Sequence, residues 1–490
     1  MPTPRPLTWI ATAGLFLLAA SAAAQPTTAP AAPTGHITIG PDTTRVSGPV
    51  LPDGTIDYVA AYNAHLSAGV TADNNAAVLV VRAFGPGALK PSIRERFLTD
   101  LGLQDLPDQG PYWEDSDEEL SQALDVCRRG PWRAEDQPDV AAWLETNAPA
   151  LALLTQAAQR TRYWMPALTP DPKGFSMITV LLPNLGKMRH AAGALDARAM
   201  LRLGKGDLAG ARADLLTIHR LARLTAQGGT LIERLVGIAC DVMASRADAA
   251  WAGDPGVTAG LARQYLDQLQ ALPSMPSLHD AFDSGERFML LDVVMTVCRK
   301  GDLKSLAPAF AGGGEAPELP PDLSAANIDW NTVLRIANQW YDREAVILDS
   351  PYLEQAALWK KFEDDVKACK TSIATEPDPS QRLAKSLIGM LVPALQGVGK
   401  SREKGAMQFE LAQVALAART FYADKGQWPD QLSDLVPGYL KALPADRFTA
   451  KQPLQMRIDQ GALLIWSVGP EGKGYTGDTT KDLAVRLHIQ

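Results

Sequence analysis

From Asp57 onward, apolar positions recur every three or four residues through most of the chain, which is the period of an amphipathic helix. Tyr58, Val59, Tyr62 and Leu66 share one face. Thr71 is placed to cap a second helix carrying Ala76, Val78, Leu79 and Val81, which Gly85-Pro86 stops. Ser116-x-x-Glu119 reads as a capping box, in which two side chains satisfy two otherwise unpaired backbone amides at a helix start. A further helix is predicted from about Pro138 to Tyr163.

The middle of the chain carries the clearest pattern. Leu195 to Leu203 ends at Gly204-Lys205-Gly206-Asp207, and Leu208 to Ala226 follows with Leu208, Ala211, Leu215, Ile218, Ala222 and Thr225 on one stripe. This helix, turn and helix resembles half of a tetratricopeptide-type repeat, but no 34-residue period recurs to support an array. Thr230-x-x-Glu233 is a second capping box and opens a helix running to Gly253-Asp254-Pro255. Helices are also expected at about Thr258 to Leu272 and Leu278 to Arg299. After the Gly- and Pro-rich stretch Ala309 to Ala325, they resume near Asn327 with Trp330, Val333 or Leu334, Ala337 and Tyr341 on one face, and continue over Tyr352 to Lys370. The period shortens to two only after Leu440, in Leu454-x-Met456-x-Ile458 and Leu463 to Val468, with Asp459-Gln460-Gly461 as the hairpin turn.

These patterns predict a mainly α protein, an irregular helical array of antiparallel hairpins with a small C-terminal α+β module of a helix plus an antiparallel sheet. The expected divisions are a signal peptide at 1–24, a flexible leader at 25–52, a helical domain at 53–306, a low-complexity loop at 307–326, a helical continuation at 327–400 and the α+β module at 401–490.

The compartment follows from the first residues. Arg5 precedes an apolar run from Trp9 to Ala20, and Ala22-Ala23-Ala24 supplies the small-residue pattern for cleavage before Gln25. The run is shorter than a bilayer span of about 20 residues, and no later segment reaches that length, so no transmembrane span is expected in the mature chain. No cysteine follows the cut to carry a lipid. The expectation is an exported protein, periplasmic or extracellular. A net charge of −8 lacks the basic excess of a phosphate-backbone binder, so nucleic acid is not an expected partner. Cys127, Cys240, Cys298 and Cys369 are widely spaced, which fits either two disulfides or buried thiols.

One stretch supports a family comparison. A helix from Glu410 to Lys425 leads into Gly426-Gln427-Trp428-Pro429, then Leu432-x-x-Leu435, Pro437-x-Tyr439, Leu443-Pro444-x-Asp446 and Leu464-Ile465-Trp466-Ser467-Val468-Gly469-Pro470. This order resembles the globular tail of the major pseudopilins of type II secretion. The resemblance implies a helix closed onto a small sheet by Trp428, Pro429, Leu432, Leu435 and Tyr439, and a calcium loop for which Glu471, Asp478 and Asp482 are the candidate ligands. It also implies an envelope or secretion-system protein as partner. A pseudopilin carries its membrane helix at its own N-terminus, whereas here the tail follows several hundred residues of exported chain, so an ordinary filament subunit is not expected.

No stretch spells out catalytic chemistry. Ala394 to Ser401 matches a P-loop loosely, but Leu387 to Leu395 before it reads as a helix where a P-loop needs a buried strand. His279, Asp283 and Glu286 share a helix face, but capping of the helix start by Asp280 and Asp283 explains the acids better than metal binding does. Tyr112 to Glu119 mixes aromatics with acids of a helix first turn, and Ser401-x-x-Lys404 has no accompanying motif. The sequence therefore favours a non-enzymatic envelope interaction or scaffold protein without a cofactor other than the candidate calcium. The alternative is a hydrolase acting on envelope glycans or peptides.

Overall fold

The computed structural model describes residues 36–169, 177, 180, 182–301, 303, 323–391, 395–450, 452–479 and 482–488. The expected signal peptide, the first part of the expected leader and most of the expected 307–326 loop lie outside the described residues. In chain order the helices are α1 (Tyr58–Leu66), α2 (Ala76–Phe84), α3 (Pro91–Asp100), α4 (Glu118–Cys127), α5 (Pro138–Thr146), α6 (Ala148–Ala157), α7 (Leu185–Gly204), α8 (Leu208–Thr225), α9 (Leu231–Ala252) and α10 (Ala259–Gln270). There follow α11 (Leu278–Ala281), α12 (Arg287–Lys300), α13 (Trp330–Asp349), α14 (Tyr352–Ser372), α15 (Pro379–Leu391) and α16 (Gln396–Lys425), then strands β1 (Gln455–Asp459), β2 (Ala462–Trp466) and β3 (Ala484–Leu487). The protein is thus mainly α with a small antiparallel sheet near its C-terminus. Among the described residues no helix is long and apolar enough to cross a membrane.

The chain forms two compact units, each assembled from separated segments. The first comprises residues 1–65, 167–181 and 278–399, and the second 66–166, 182–277 and 400–490. One boundary between the units falls at Gly399/Lys400, and residues 53–306 contribute to both units. A reading that follows chain order cannot see where the chain returns.

In the first unit, α12 and α13 are joined through Arg287, a fully buried guanidinium. It donates to Asp283 at 2.7 Å, to Asp342 at 2.8 Å and to the backbone and side-chain oxygens of Asn338 at 3.2 and 3.1 Å. Asn338 in turn donates to the carbonyls of Asp42 and Thr43. Thr43 and Thr44 are fully buried, so the described end of the expected leader, from residue 36, is tied down by backbone acceptors. The expected helix Leu278 to Arg299 is interrupted by a π-turn at Phe282–Glu286, where Phe282 stacks on Tyr341 at 5.0 Å.

Local chemistry sets the helix ends of the second unit. The Thr230–Glu233 capping box is formed, each side chain bonding the other's backbone amide. The box expected at Ser116 is replaced by Asp117, whose carboxylate accepts from Leu120 N at 2.8 Å, because a charged acceptor favours the positive helix start. The single helix expected over Pro138 to Tyr163 is two, broken at Asn147. Pro149 has no N–H to continue α5, and the buried Asn147 amide instead accepts from Glu114 N at 2.9 Å. Two glycines allow close helix approach. A Cβ at Gly237 would lie 2.5 Å from the Ala222 carbonyl, and one at Gly405 would lie 2.8 Å from Ile238, so α9 packs tightly on both α8 and α16.

The sheet order is β1-β2-β3, antiparallel throughout. The expected hairpin is present, with Gln460 and Gly461 both at positive φ as a two-residue turn requires. β3 was not expected, since four residues are too short for a periodic signal. Ala462 to Ile465 of β2, the central strand, are fully buried. Trp428 closes the helix onto this sheet by donating to the Gly461 carbonyl at 2.9 Å, and Leu432 and Leu435 are buried beside it.

The segments Leu443–Asp446 and Trp466–Gly469 meet through one buried carboxylate. Asp446 accepts from Ser467 Oγ and Val468 N, both at 2.8 Å, and from Phe448 N at 3.0 Å. Replacing Asp446 by Ala removes the acceptor of one buried and two part-buried donors, so Asp446→Ala is expected to lower the unfolding free energy by about 2–4 kcal/mol in urea denaturation. Asp430→Ala, at an exposed position, is expected to change it by less than about 0.5 kcal/mol.

Candidate functional site

The second unit holds a cavity of about 630 Å³, within the range of small-molecule and peptide sites. Its walls come from α8, α9, α10, the 272–275 turn, α16 and the 440–447 loop. Most of the lining is apolar, with Leu269, Leu272, Met275, Phe409, Leu440 and Leu443 prominent. Charged groups also line it: Arg223, Asp241, Arg402, Glu410, Lys441 and Arg447.

Most of these charges are already paired. Arg447 takes Glu410 at 2.6 Å and Glu403 at 2.9 Å, and Arg402 takes Glu403 at 2.8 Å. Arg223 donates through Nη1 to Asp241 at 2.5 Å and to the His219 carbonyl, and through Nε to the Pro273 carbonyl at 2.7 Å. The Phe409 ring covers this guanidinium at 4.7 Å and meets the His219 ring edge-on at 5.4 Å.

Behind Arg223 lies a closed polar core. His219 Nδ1 is 2.6 Å from Asp241, its Nε2 is 3.1 Å from Asp248, and Tyr265 donates to the other Asp248 oxygen at 2.5 Å. Both ring nitrogens face carboxylate oxygens, which only accept, so both carry protons and the ring is an imidazolium. Burial alone would lower the affinity of the ring for its second proton, but Asp248 and Asp241 outweigh it and lift the pKa to about 9. Burial pushes Asp241 upward, and the charges of His219 and Arg223 hold it below the usual carboxylate range. His219 and Arg223 are four apart on α8, and Asp241 and Asp248 seven apart on α9, so each pair shares a helix face. That spacing was the available sequence signal. It is a weak signal, because one sequence does not show which faces of α8 and α9 meet.

The residues singled out in the sequence are not gathered into one site. Glu471 pairs with Lys400 at 2.5 Å, and Asp482 accepts from Thr476 N and Oγ1 at 2.6 and 3.0 Å. Asp478 reaches Asp482 through its backbone, its carbonyl accepting from Asp482 N at 2.9 Å. Among the described residues no three acidic, histidine or cysteine side chains converge as metal ligands. His279 pairs with Asp349 and Asp283 with Arg287. Trp113 packs edge-on against Trp143 and bonds Asp115, which explains the aromatic and acidic run before α4. Residues 396–401 are helical, so they form no phosphate-binding loop. Cys127, Cys240 and Cys298 are buried thiols and Cys369 is half-buried, with burial pushing Cys127 up to about 11 and Cys240 up to about 12.

The imidazolium sets a pH dependence. Its folded pKa lies above the ordinary 6.5, so its stabilisation is complete below about pH 6.5 and is lost as pH rises through about 9. Urea denaturation from pH 6.5 to 9.5 is expected to show the native protein losing roughly 3 kcal/mol that a His219→Gln variant does not lose. That variant starts lower by about 3–5 kcal/mol, because it leaves Asp248 buried without a cation and Asp241 with Arg223 alone.

Searches against protein-family models, curated proteins and solved structures found no match to this chain.

Proposed function

We propose that this protein is an exported, non-enzymatic interaction protein of the cell envelope, and that the cavity of the second unit is its docking site. The observation that carries this reading is the state of the charges in that cavity. A hydrolytic site needs an accessible carboxyl or imidazole free to take and return a proton. Here Asp241 and Glu410 are held by guanidinium groups, and His219 is a fully buried imidazolium with both protons committed. An apolar lining with a neutralised polar fringe is the composition of a binding surface. The pseudopilin-like character of the C-terminal segment favours a secretion-system or other envelope protein as the partner.

Truncation near residue 401 would remove α16 and the sheet from the core of the second unit, so a filled cavity is the cleaner probe. With a photo-reactive side chain in place of the exposed Lys441, the exported protein in its native envelope is expected to yield discrete adducts. Ala406→Trp is expected to reduce their yield at least about tenfold while leaving the melting temperature within about 3 °C. Turnover of envelope glycans or peptides by the purified protein, abolished by Glu410→Gln, would replace this reading with the hydrolase.

A further inference from the structure

We infer that the cavity of the second unit takes an uncharged, extended peptide segment, with a backbone carbonyl of the peptide bound to Arg223 and apolar side chains seated along α10 and the 440–447 loop. This rests on the binding reading above and names the ligand class of the same site.

The first observation is an open donor. The Arg223 side chain is only 5% exposed, and its Nε and one Nη are bonded to Pro273, His219 and Asp241. Its Nη2 has no hydrogen-bond partner among the described residues, although the side chain lines the cavity. That N–H opens on the cavity, where it is available to an acceptor and a guanidinium forms a charge-assisted hydrogen bond. The rigid fork fixes where that acceptor must lie, since three of its contacts and the Phe409 face already hold the plane.

The second observation is the charge balance around that donor. His219 and Arg223 carry two positive charges, and Asp241 and Asp248 carry two negative ones. Across the cavity Arg402 and Arg447 face Glu403 and Glu410, again two against two. A ligand carboxylate at Nη2 would meet Asp241 as a neighbour without an unneutralised cation to offset the repulsion. A neutral carbonyl oxygen meets no such penalty. Lys441, exposed at the rim, is too well solvated to alter this balance.

The third observation is the pattern of the walls. Leu269, Leu272, Met275, Leu440 and Leu443 offer apolar contact, while the exposed Gln270 and Ser274 and the half-buried Gln413 place amide and hydroxyl groups at the same cleft. A peptide presents this alternation of apolar side chains and backbone N–H and C=O groups. A hydrocarbon chain would engage only the apolar part of that lining.

The test is fluorescence anisotropy with the full exported chain and labelled, end-blocked pentapeptides of alternating alanine and leucine. Saturable binding is expected, weakened at least about tenfold by Ala406→Trp, with no more than about threefold change when the blocked C-terminus is replaced by a free carboxylate. Arg223→Lys, with folding checked by its melting curve, is expected to weaken binding by about tenfold, because an ammonium cannot supply the fork. A free-carboxylate peptide binding at least about tenfold more tightly would overturn the neutral-ligand assignment in favour of an anion site. Binding of decanoate but of neither peptide, lost in Ala406→Trp, would overturn the peptide while leaving a binding function for the cavity. Peptide binding untouched by Ala406→Trp would overturn the site. Hydrolysis of the peptides would overturn the binding reading itself.

Discussion

A protonated histidine between two aspartates, sealed in the core of a helical hairpin, is the constraint on which the second unit depends. His219 holds α8 to α9 through Asp241 and Asp248, and Tyr265 extends the same contact to α10. Burying four charges is unfavourable unless each is paired with good geometry. The pairing here is complete in number and sign, so the three helices have few alternative registers that keep every charge matched. Apolar packing alone would tolerate small slides of α9 along α8. A charge pair with its hydrogen bonds does not, and Gly237 removes the side chain that would hold the helices apart.

The cavity inherits its character from this core. Arg223 and Asp241 belong both to the buried network and to the cavity wall, so the wall is rigid where it meets the network. On the opposite side Arg447 ties the 440–447 loop to α16 through Glu403 and Glu410. Asp446, next in sequence, fixes that loop to the strand end at Ser467 and Val468. The floor and the rim of the cavity are therefore held by separate ion-pair sets, each internally neutral. The proposed binding role rests on that neutrality.

Buried charge elsewhere in the protein is handled less evenly. In the second unit Arg198 and Arg202 converge on Asp214, and Arg128 meets Asp196, whose carboxyl burial pushes up to about 7. In the first unit Glu344 is fully buried, and burial followed by the nearby Glu286 raises its pKa well above the usual range, so it is held neutral. The carboxyl is a feature of the packed interior beside the π-turn, and it has no place in the binding argument.

Local rules wrote much of this fold into the sequence. The capping box at Thr230 and Glu233, the α7–α8 turn at Gly204 to Asp207 and the Gln460-Gly461 hairpin turn act over four residues or fewer, where the chemistry of a side chain and its own backbone decides the outcome. The same rules misjudged the start of α4 and the break at Asn147, where Asp117 and Pro149 outweighed the helical pattern. The mainly α class was legible for the same local reason, whereas the closure of Trp428 onto the sheet, across 33 positions, was expected only from the resemblance of that segment to pseudopilin tails. Only the tertiary structure decided that residues 66–166, 182–277 and 400–490 make one unit, that His219 meets Asp241 and Asp248, and that Arg223 opens into a cavity with Arg447. Those contacts join residues from about 20 to more than 200 positions apart. A pairwise charge contact depends on distance in space, and one sequence records only distance along the chain.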